Sequence, residues 1–178
     1  MAKSPLVPGR ACGSCTMCCW MLRIDELAKP EHSHCQHCEE GAGCTIYNAR
    51  PEPCREFYCG YRALPFAGPH WFPPDCGMMI YPDAANSRLR VHVDPANPEA
   101  WRAEPYYSDL KQWAVAAERM DMQLTVAVGR RIIAILPHGD VDLGEFGDTD
   151  RLVYSRDTVE GREVLLARKV SAGSGSTG

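Results

Sequence analysis

The sequence contains no long hydrophobic run. No segment approaches the roughly 18 uninterrupted apolar residues of a membrane span. The first ten residues, MAKSPLVPGR, carry two prolines and no apolar stretch of the kind found in a signal peptide. We therefore expect a cytoplasmic chain with no membrane partner, in a compartment where thiols stay reduced.

A run of basic residues is also missing. The chain has 19 Lys and Arg residues against 23 Asp and Glu residues, which gives a net charge of −4. This balance provides no general electrostatic attraction to the phosphates of nucleic acid. We expect no nucleic-acid partner.

Motifs of the common enzyme classes are absent as well. The sequence has no H-E-x-x-H, no G-x-S-x-G, no phosphate-binding P-loop and no dinucleotide-binding glycine motif. The acidic stretch 140–150 lacks EF-hand spacing, and we predict a solvated turn there. No catalytic machinery is visible, so the sequence assigns no enzymatic activity.

What the chain has in excess is cysteine. Two-residue spacings between cysteines are typical of ligands that share a metal, and two adjacent cysteines cannot comfortably form a disulfide with each other. The pattern therefore predicts metal ligation rather than a disulfide framework, while the isolated Cys76 is predicted to be a small buried residue. Nine of the ten cysteines fall early in the chain, and all nine are candidate ligands: Cys12, Cys15, Cys18, Cys19, Cys35, Cys38, Cys44, Cys54 and Cys59.

Two kinds of metal centre fit these spacings. The opening C-x-x-C-x-x-C resembles the run that binds a [4Fe–4S] cluster in ferredoxins, and a fourth ligand would come from Cys44, Cys54 or Cys59. Alternatively, the C-x-x-C pairs that begin at Cys12 and Cys35 are spaced as in a zinc ribbon. Because adjacent side chains tend to point apart, the two neighbouring cysteines of the opening run can also serve two different centres.

Three functional hypotheses follow from these alternatives. We favour an iron–sulfur protein with a role in electron transfer or in redox or metal sensing, together with a protein redox partner. The main alternative is a zinc-stabilised structural or binding module without catalysis, and the third hypothesis is a small enzyme that uses the metal centre. In each case folding of the cysteine region is expected to be coupled to the metal.

Arginines among the later cysteines are candidates for stabilising negatively charged sulfur. Arg50 and Arg55 flank the sequence P-E-P-C, and we predict that they direct N–H groups at sulfur or at nearby carbonyl groups. His34 and His37 lie beside cysteines, but with nine thiols available we expect them to be solvated or to contact the ligands.

The cysteine run and the later segment C-T-I-Y-N-A-R-P-E-P-C-R together resemble the CxxCxxCC family of zinc- or iron-chelating proteins, the YkgJ-type cysteine-cluster proteins. The resemblance covers roughly a third of the chain. It implies a zinc or iron–sulfur centre without an assigned activity, in which Cys35 or Cys38 takes the place of the family's intermediate cysteine. The matching positions are Cys12, Cys15, Cys18, Cys19, Cys44, Ile46, Tyr47, Arg50, Pro51, Cys54 and Arg55.

The composition changes near Cys76 and suggests three segments. We predict a cysteine-cluster metal-binding module over 1–76, an antiparallel α+β scaffold over 77–170 and a disordered Gly/Ser tail over 171–178. The predicted fold class is α+β, with a loop-rich cysteine module packed on a small antiparallel sheet that has one main helix.

Local patterns place the elements of this fold. In the module we predict a short helix around 19–29 that is stopped by Pro30, and in the scaffold a helix that begins at Pro105. Gly129 suits the first position of a type II′ turn. Alternating or β-branched runs predict strands at 78–81, 89–93, 123–128, 131–136, 152–156 and 163–168.

Overall fold

A computed structural model of the chain describes residues 6–39, 41–159 and 161–171. The chain forms two compact units, Met1–Tyr81 and Pro82–Gly178. The composition change had suggested a boundary a few residues earlier, after Cys76. Apart from Ser171, the predicted tail lies outside the described residues. In the part of the chain that is described, no helix is long and apolar enough to cross a membrane.

The first unit is built from short elements joined by loops, and none of those described exceeds five residues. Its two short strands form an antiparallel hairpin in which Cys38 and Cys44 are register partners. Because such short helices are marginal without tertiary contacts, this unit depends on packing and ligation. Its helices are α1 (Met17–Met21), α2 (Glu52–Glu56), α3 (Gly60–Ala63) and α4 (Pro73–Cys76), and its strands are β1 (Cys38–Glu39) and β2 (Gly43–Cys44).

The predicted helix around 19–29 is wrong. Helix α1 ends at Met21, and the chain then becomes extended before a single 3₁₀ turn over Asp25–Leu27. A bridge between Ile24 and Lys29 closes this turn, with Ala28 in the left-handed region at φ +48°. The Lys29 side chain donates to carbonyl groups of this segment, so hydrogen bonding within the loop overrides the helical pattern.

Helix α3 packs closely on the end of the first unit through Gly60. A Cβ atom on this residue would lie 2.4 Å from Ile80 Cγ2 and 2.6 Å from Ile80 Cβ. Both residues are buried. The glycine is therefore required by the close approach of the helix to a buried branched side chain.

Gly60→Ala is accordingly expected to lower the free energy of unfolding by about 1–3 kcal/mol, the usual cost of overpacking a filled core. Urea denaturation measures the change. Gly139→Ala is the matched control, because a Cβ there meets no atom within 4 Å. Equal stability of the two variants would contradict this account of the packing.

The second unit contains a five-stranded sheet and the main helix of the protein, α5 (Tyr106–Arg119). The strand order is β3-β4-β5-β6-β7. A separate antiparallel hairpin, β8 with β9, completes the unit. The strands are β3 (Met78–Asp83), β4 (Arg88–Val93), β5 (Gln123–Val128), β6 (Arg131–Leu136), β7 (Gly139–Glu145), β8 (Asp150–Val159) and β9 (Arg162–Ser171).

The α+β class is confirmed, with one difference in the sheet. The pair β5–β6 is antiparallel as predicted, and β6 also pairs antiparallel with β7, a strand that was not predicted, whereas β4 and β5 are parallel. Helix α5 lies between these two strands in sequence and makes the crossover that a parallel pair requires. The predicted bounds of β5 and β6 are confirmed, and Gly129 in their turn has the positive φ, +56°, that a type II′ turn places there.

The solvated turn predicted for 140–150 is wrong, because strand β7 occupies most of it. The acidic residues are accommodated by cations on neighbouring elements. Asp140 Oδ1 lies 3.3 Å from Lys111 Nζ, and Asp142 forms an ion pair with Arg131 on the adjacent strand. Sequence propensity disfavours aspartate in strands, so these pairings stabilise a strand that the local pattern does not show.

The two faces of the sheet in the second unit are chemically different. Along β4, Leu89, Val91 and Val93 are buried, and Leu110 and Ala114 of α5 are buried as well. Helix α5 contacts β5 and β6. The alternate positions Arg88 and Arg90 lie on the opposite face.

Candidate metal centre

A cavity of about 70 Å³ in the first unit gathers most of the cysteines. Cys38 and Cys76 are not in its lining. The Cys76 thiol is buried and donates to the Met78 carbonyl at 3.3 Å, which confirms the prediction of a small buried residue. All ten cysteines are free thiols. Eight of them line the cavity: Cys12, Cys15, Cys18, Cys19, Cys35, Cys44, Cys54 and Cys59.

Three of these thiols interact with one another electrostatically. We call them the Cys12 group: Cys12, Cys15 and Cys59. The Cys15 amide donates to the Cys12 carbonyl at 2.9 Å, which makes the tight turn expected of C-x-x-C. Arg62 Nη1 donates to Cys12 Sγ at 3.5 Å and to the Tyr47 hydroxyl at 3.0 Å. The Tyr47 hydroxyl in turn lies 3.8 Å from Cys12 Sγ. A cation and a hydroxyl therefore already face this sulfur.

The remaining thiols of the cluster form the Cys19 group, in which mutual electrostatic effects connect the members. The β1–β2 hairpin holds two of them opposite each other, and the Cys38 amide donates to the Cys35 carbonyl at 3.0 Å in a second C-x-x-C turn. The group consists of Cys18, Cys19, Cys35, Cys38, Cys44 and Cys54.

Burial raises the pKa of many of these thiols. It raises the pKa of Cys15 to about 12 and that of Cys38 to about 11, from an ordinary value of 9.0. A hydrogen bond with Cys18, and then burial, raises the pKa of Cys19. Burial likewise raises the pKa of Cys44, Cys54 and Cys59. Among the described residues, no three Cys, His, Asp or Glu side chains are already arranged around one metal position.

Lys29 is a functional candidate that the sequence pattern did not reveal. Only 6% of the residue is exposed, and it lines the cavity with the thiols. Its Nζ donates to the carbonyl groups of Trp20 at 3.2 Å, Leu22 and Pro30 at 3.0 Å. Burial lowers the pKa of Lys29, and the negative charge that neighbouring cysteines can carry opposes this shift.

The two arginines proposed from the sequence have different positions. Arg50 lines the cavity, donates from Nε to the Tyr47 carbonyl at 2.8 Å and stacks 3.7 Å from the centre of the Tyr47 ring. Its charge lowers the pKa of Cys44 and Cys54, as a stabilising cation should. Arg55 is exposed and is not in the lining, so the structure does not bring it to the thiols. Arg62 takes the position beside sulfur instead.

The two histidines beside the cysteines also differ in their exposure and position. His34 is exposed, whereas His37 is half-buried, lines the cavity and contacts Gln36 Nε2 through its own Nε2 at 3.3 Å. His37 is thus the histidine positioned to contact the thiol cluster.

Reduced protein freed of metal by a chelator is expected to lose stability as the pH rises above about 9, the ordinary thiol pKa. A thiol whose pKa is raised by folding keeps its proton in the folded state after the unfolded chain has lost it. The free energy of unfolding therefore falls as the pH rises through this range, and the contribution is fully present below it.

Urea unfolding at pH values on both sides of 9 measures this dependence. Cys15→Ser removes one strongly shifted thiol and should make the decline shallower. A free energy of unfolding that stays constant across the range would contradict the burial of the thiols.

No family model, curated protein or solved structure matches this chain.

Proposed function

We propose that this chain is a cysteine-cluster metal-binding protein that holds an iron–sulfur cluster and uses it in electron transfer or in redox or metal sensing. The observation that carries the proposal is the convergence of eight cysteines on one cavity together with Lys29, Arg50 and Arg62. The resemblance to the CxxCxxCC family and the expected cytoplasmic location agree with it.

The residues present fit such a centre chemically. Thiolates are the protein ligands of iron–sulfur clusters, and a cluster with four thiolates is negatively charged. Cations and N–H donors near the sulfurs offset that charge. Lys29, beside the Cys19 group, and Arg62, beside the Cys12 group, each place a positive charge next to the thiols.

The grouping of the thiols supports particular ligand sets. Cys59 is the later cysteine that neighbours Cys12 and Cys15, which supports it as the partner of the opening run. Cys18 is the next thiol of that run, and we propose from this spacing that it completes the set, although it also contacts Cys19 of the other group. The five other thiols, with Cys19 among them, would hold a second centre.

A bound cluster supplies one-electron chemistry. The chain's thiolates would hold it, and Lys29 and Arg62 would balance its negative charge. Because the thiols must release protons to become ligands, metal binding is expected to release protons and to strengthen as the pH rises.

Zinc is the second candidate, and the β1–β2 hairpin favours it for the Cys19 group. A C-x-x-C turn on a short hairpin with Cys38 opposite Cys44 is an arrangement suited to a tetrahedral thiolate site. A ribbon that pairs Cys12 and Cys15 with Cys35 and Cys38 is the alternative zinc arrangement, and Cys19 acts electrostatically on a member of each pair.

Elemental analysis for iron, zinc and acid-labile sulfide tests the proposal, on protein purified without oxygen and without added metal. Iron and sulfide in nearly equal amounts, with visible absorption, are expected. Zinc alone would make the centre structural, and neither metal in stoichiometric amount would refute both candidates.

A further inference from the structure

The second unit contains a larger cavity that the proposed metal function does not use. Its volume is about 400 Å³. Arg88 and Arg90 of β4 and Thr125 of β5 line it on the sheet side, and Arg151 and Leu152 of β8 line it as well. All the lining residues belong to the second unit.

Strand register explains why these polar groups lie together. Arg88 and Arg90 are two residues apart on one face of β4, opposite the face that buries Leu89 and Val91. In the parallel pair of β4 and β5, Thr125 is the register partner of Arg90. Two guanidinium groups and one hydroxyl therefore share a small area of the sheet.

Two of these groups have buried polar atoms without a partner. Thr125 is fully buried, with 0% exposure, and its Oγ1 has no hydrogen-bond partner. The Nε of Arg90 is likewise buried and unpartnered. Folded proteins satisfy nearly all buried polar groups, since each unsatisfied one opposes folding. A hydroxyl and a guanidinium left without partners beside a cavity are the signature of a ligand that completes them.

The charge of the cavity is positive and only partly offset. Burial, and then the charge of Arg90, lower the pKa of Arg88, whose Nε donates to the neutral Gln123 Oε1 at 2.8 Å. The lining also includes Asp150, but its Oδ2 accepts from the Gly147 amide at 2.7 Å and lies 3.7 Å from Lys169 Nζ. Asp83 also acts electrostatically on Arg88, but its carboxylate accepts hydrogen bonds from Asn86 Nδ2 at 3.0 Å and 2.9 Å.

We infer that this cavity binds a small-molecule oxyanion, with a phosphate ester as the class that fits best. Guanidinium groups bind phosphate oxygens through paired N–H donors, and a threonine hydroxyl adds a further donor. Ile132, Phe146 and Leu152 supply an apolar wall for the organic part of the ester. This site is independent of the metal centre.

Isothermal titration of the full chain with phenyl phosphate, inorganic phosphate and benzoate tests the inference. Phenyl phosphate should bind saturably at one site per chain, more tightly than inorganic phosphate because of the apolar wall. Tighter binding of benzoate than of phenyl phosphate would identify a carboxylate as the oxyanion. Absence of saturable binding by all three probes would overturn the proposal.

Two variants locate the binding in this cavity. Arg90→Gln should weaken phenyl phosphate binding about tenfold or more, since hydrogen bonds to charged groups are worth that much. Arg119→Gln, an exposed arginine at the end of α5, is the control and should bind normally. Equal affinity of both variants would place the ligand elsewhere and refute the inference.

The Thr125→Val variant distinguishes a role of Thr125 in ligand binding from a purely structural role. Removal of an unpartnered buried hydroxyl should raise the melting temperature of the protein without ligand, while the affinity for phenyl phosphate falls. A structural role alone would not move these two quantities in opposite directions. Unchanged affinity in this variant would remove Thr125 from the site, and unchanged affinity in both Thr125→Val and Arg90→Gln would overturn the proposal.

Discussion

Cys15→Ser and Cys54→Ser are each expected to release metal and to open the first unit to protease, while the second unit stays folded. Cys15 belongs to the Cys12 group and Cys54 to the Cys19 group, and both line the thiol cavity. The short helices of this unit are marginal by themselves, so loss of ligation should destabilise them. Metal content per chain and limited proteolysis measure the two effects.

The chain offers a matched control for these variants in Cys76→Ser. This residue is buried in the same unit but lies outside the cavity lining, and serine can still donate to the Met78 carbonyl. The control should retain its metal and its resistance to protease. Full metal content in Cys15→Ser and Cys54→Ser would contradict the ligand assignment. If each variant lost only part of the metal content per chain, the result would instead indicate that the two groups form two separate centres.

Lys29→Met is expected to lower the free energy of unfolding by about 3 kcal/mol, because three partly buried carbonyl groups lose their common donor. It should also weaken metal retention about tenfold, since the variant removes the positive charge next to the Cys19 group. Urea denaturation measures the first effect, and competition with a chelator measures the second.

Lys111→Met distinguishes a charge effect from a loss of stability. Lys111 is also half-buried and donates to a carbonyl group, that of Leu136, but it belongs to the second unit and pairs with Asp140. This variant should lower stability and leave metal retention unchanged. If both lysine variants weakened metal retention equally, Lys29 would act through folding alone.

The sequence predicted best where hydrophobic patterning and turn chemistry coincide. Strands β5 and β6 have the expected bounds because both are continuous β-branched runs joined at a glycine with the required positive φ. Helix α5 begins within one residue of Pro105 for a similar reason. These are local signals, and they need no knowledge of distant residues.

The predictions failed where specific side-chain contacts determine the structure. The sequence after α1 has a pattern that favours a helix. The Lys29 ammonium nevertheless donates hydrogen bonds to three carbonyl groups, which come close together only when this segment forms a non-helical loop. Strand β7 is too acidic to be recognised without its partners Lys111 and Arg131. At the candidate metal centre, cysteine spacing predicted the candidate ligands, eight of which line one cavity, while Lys29 and Arg62 are brought to that cavity by folding.

The polar cavity of the second unit was also invisible in the sequence. Arg88 and Arg90 alternate with buried residues, which is the ordinary pattern of a strand with one face in solvent. Only the pairing of β4 with β5 shows that Arg90 lies beside the buried Thr125. The polar cavity is therefore lined by residues whose sequence pattern is ordinary for a strand with one face in solvent.

The outer strand β7 affects how this protein behaves at high concentration. An unpaired strand edge can recruit strands from other chains and so start aggregation. Here the ladder with β6 is irregular between Arg131 and Ile133, and β7 carries aspartates along its length. Hydrogen bonds from Arg131 and from the Gly144 amide hold the pKa of Asp142 below its ordinary value, so its charge persists as the solution becomes acidic. The acidic residues that made β7 difficult to predict from the sequence therefore also disfavour pairing of this strand edge with strands of other chains.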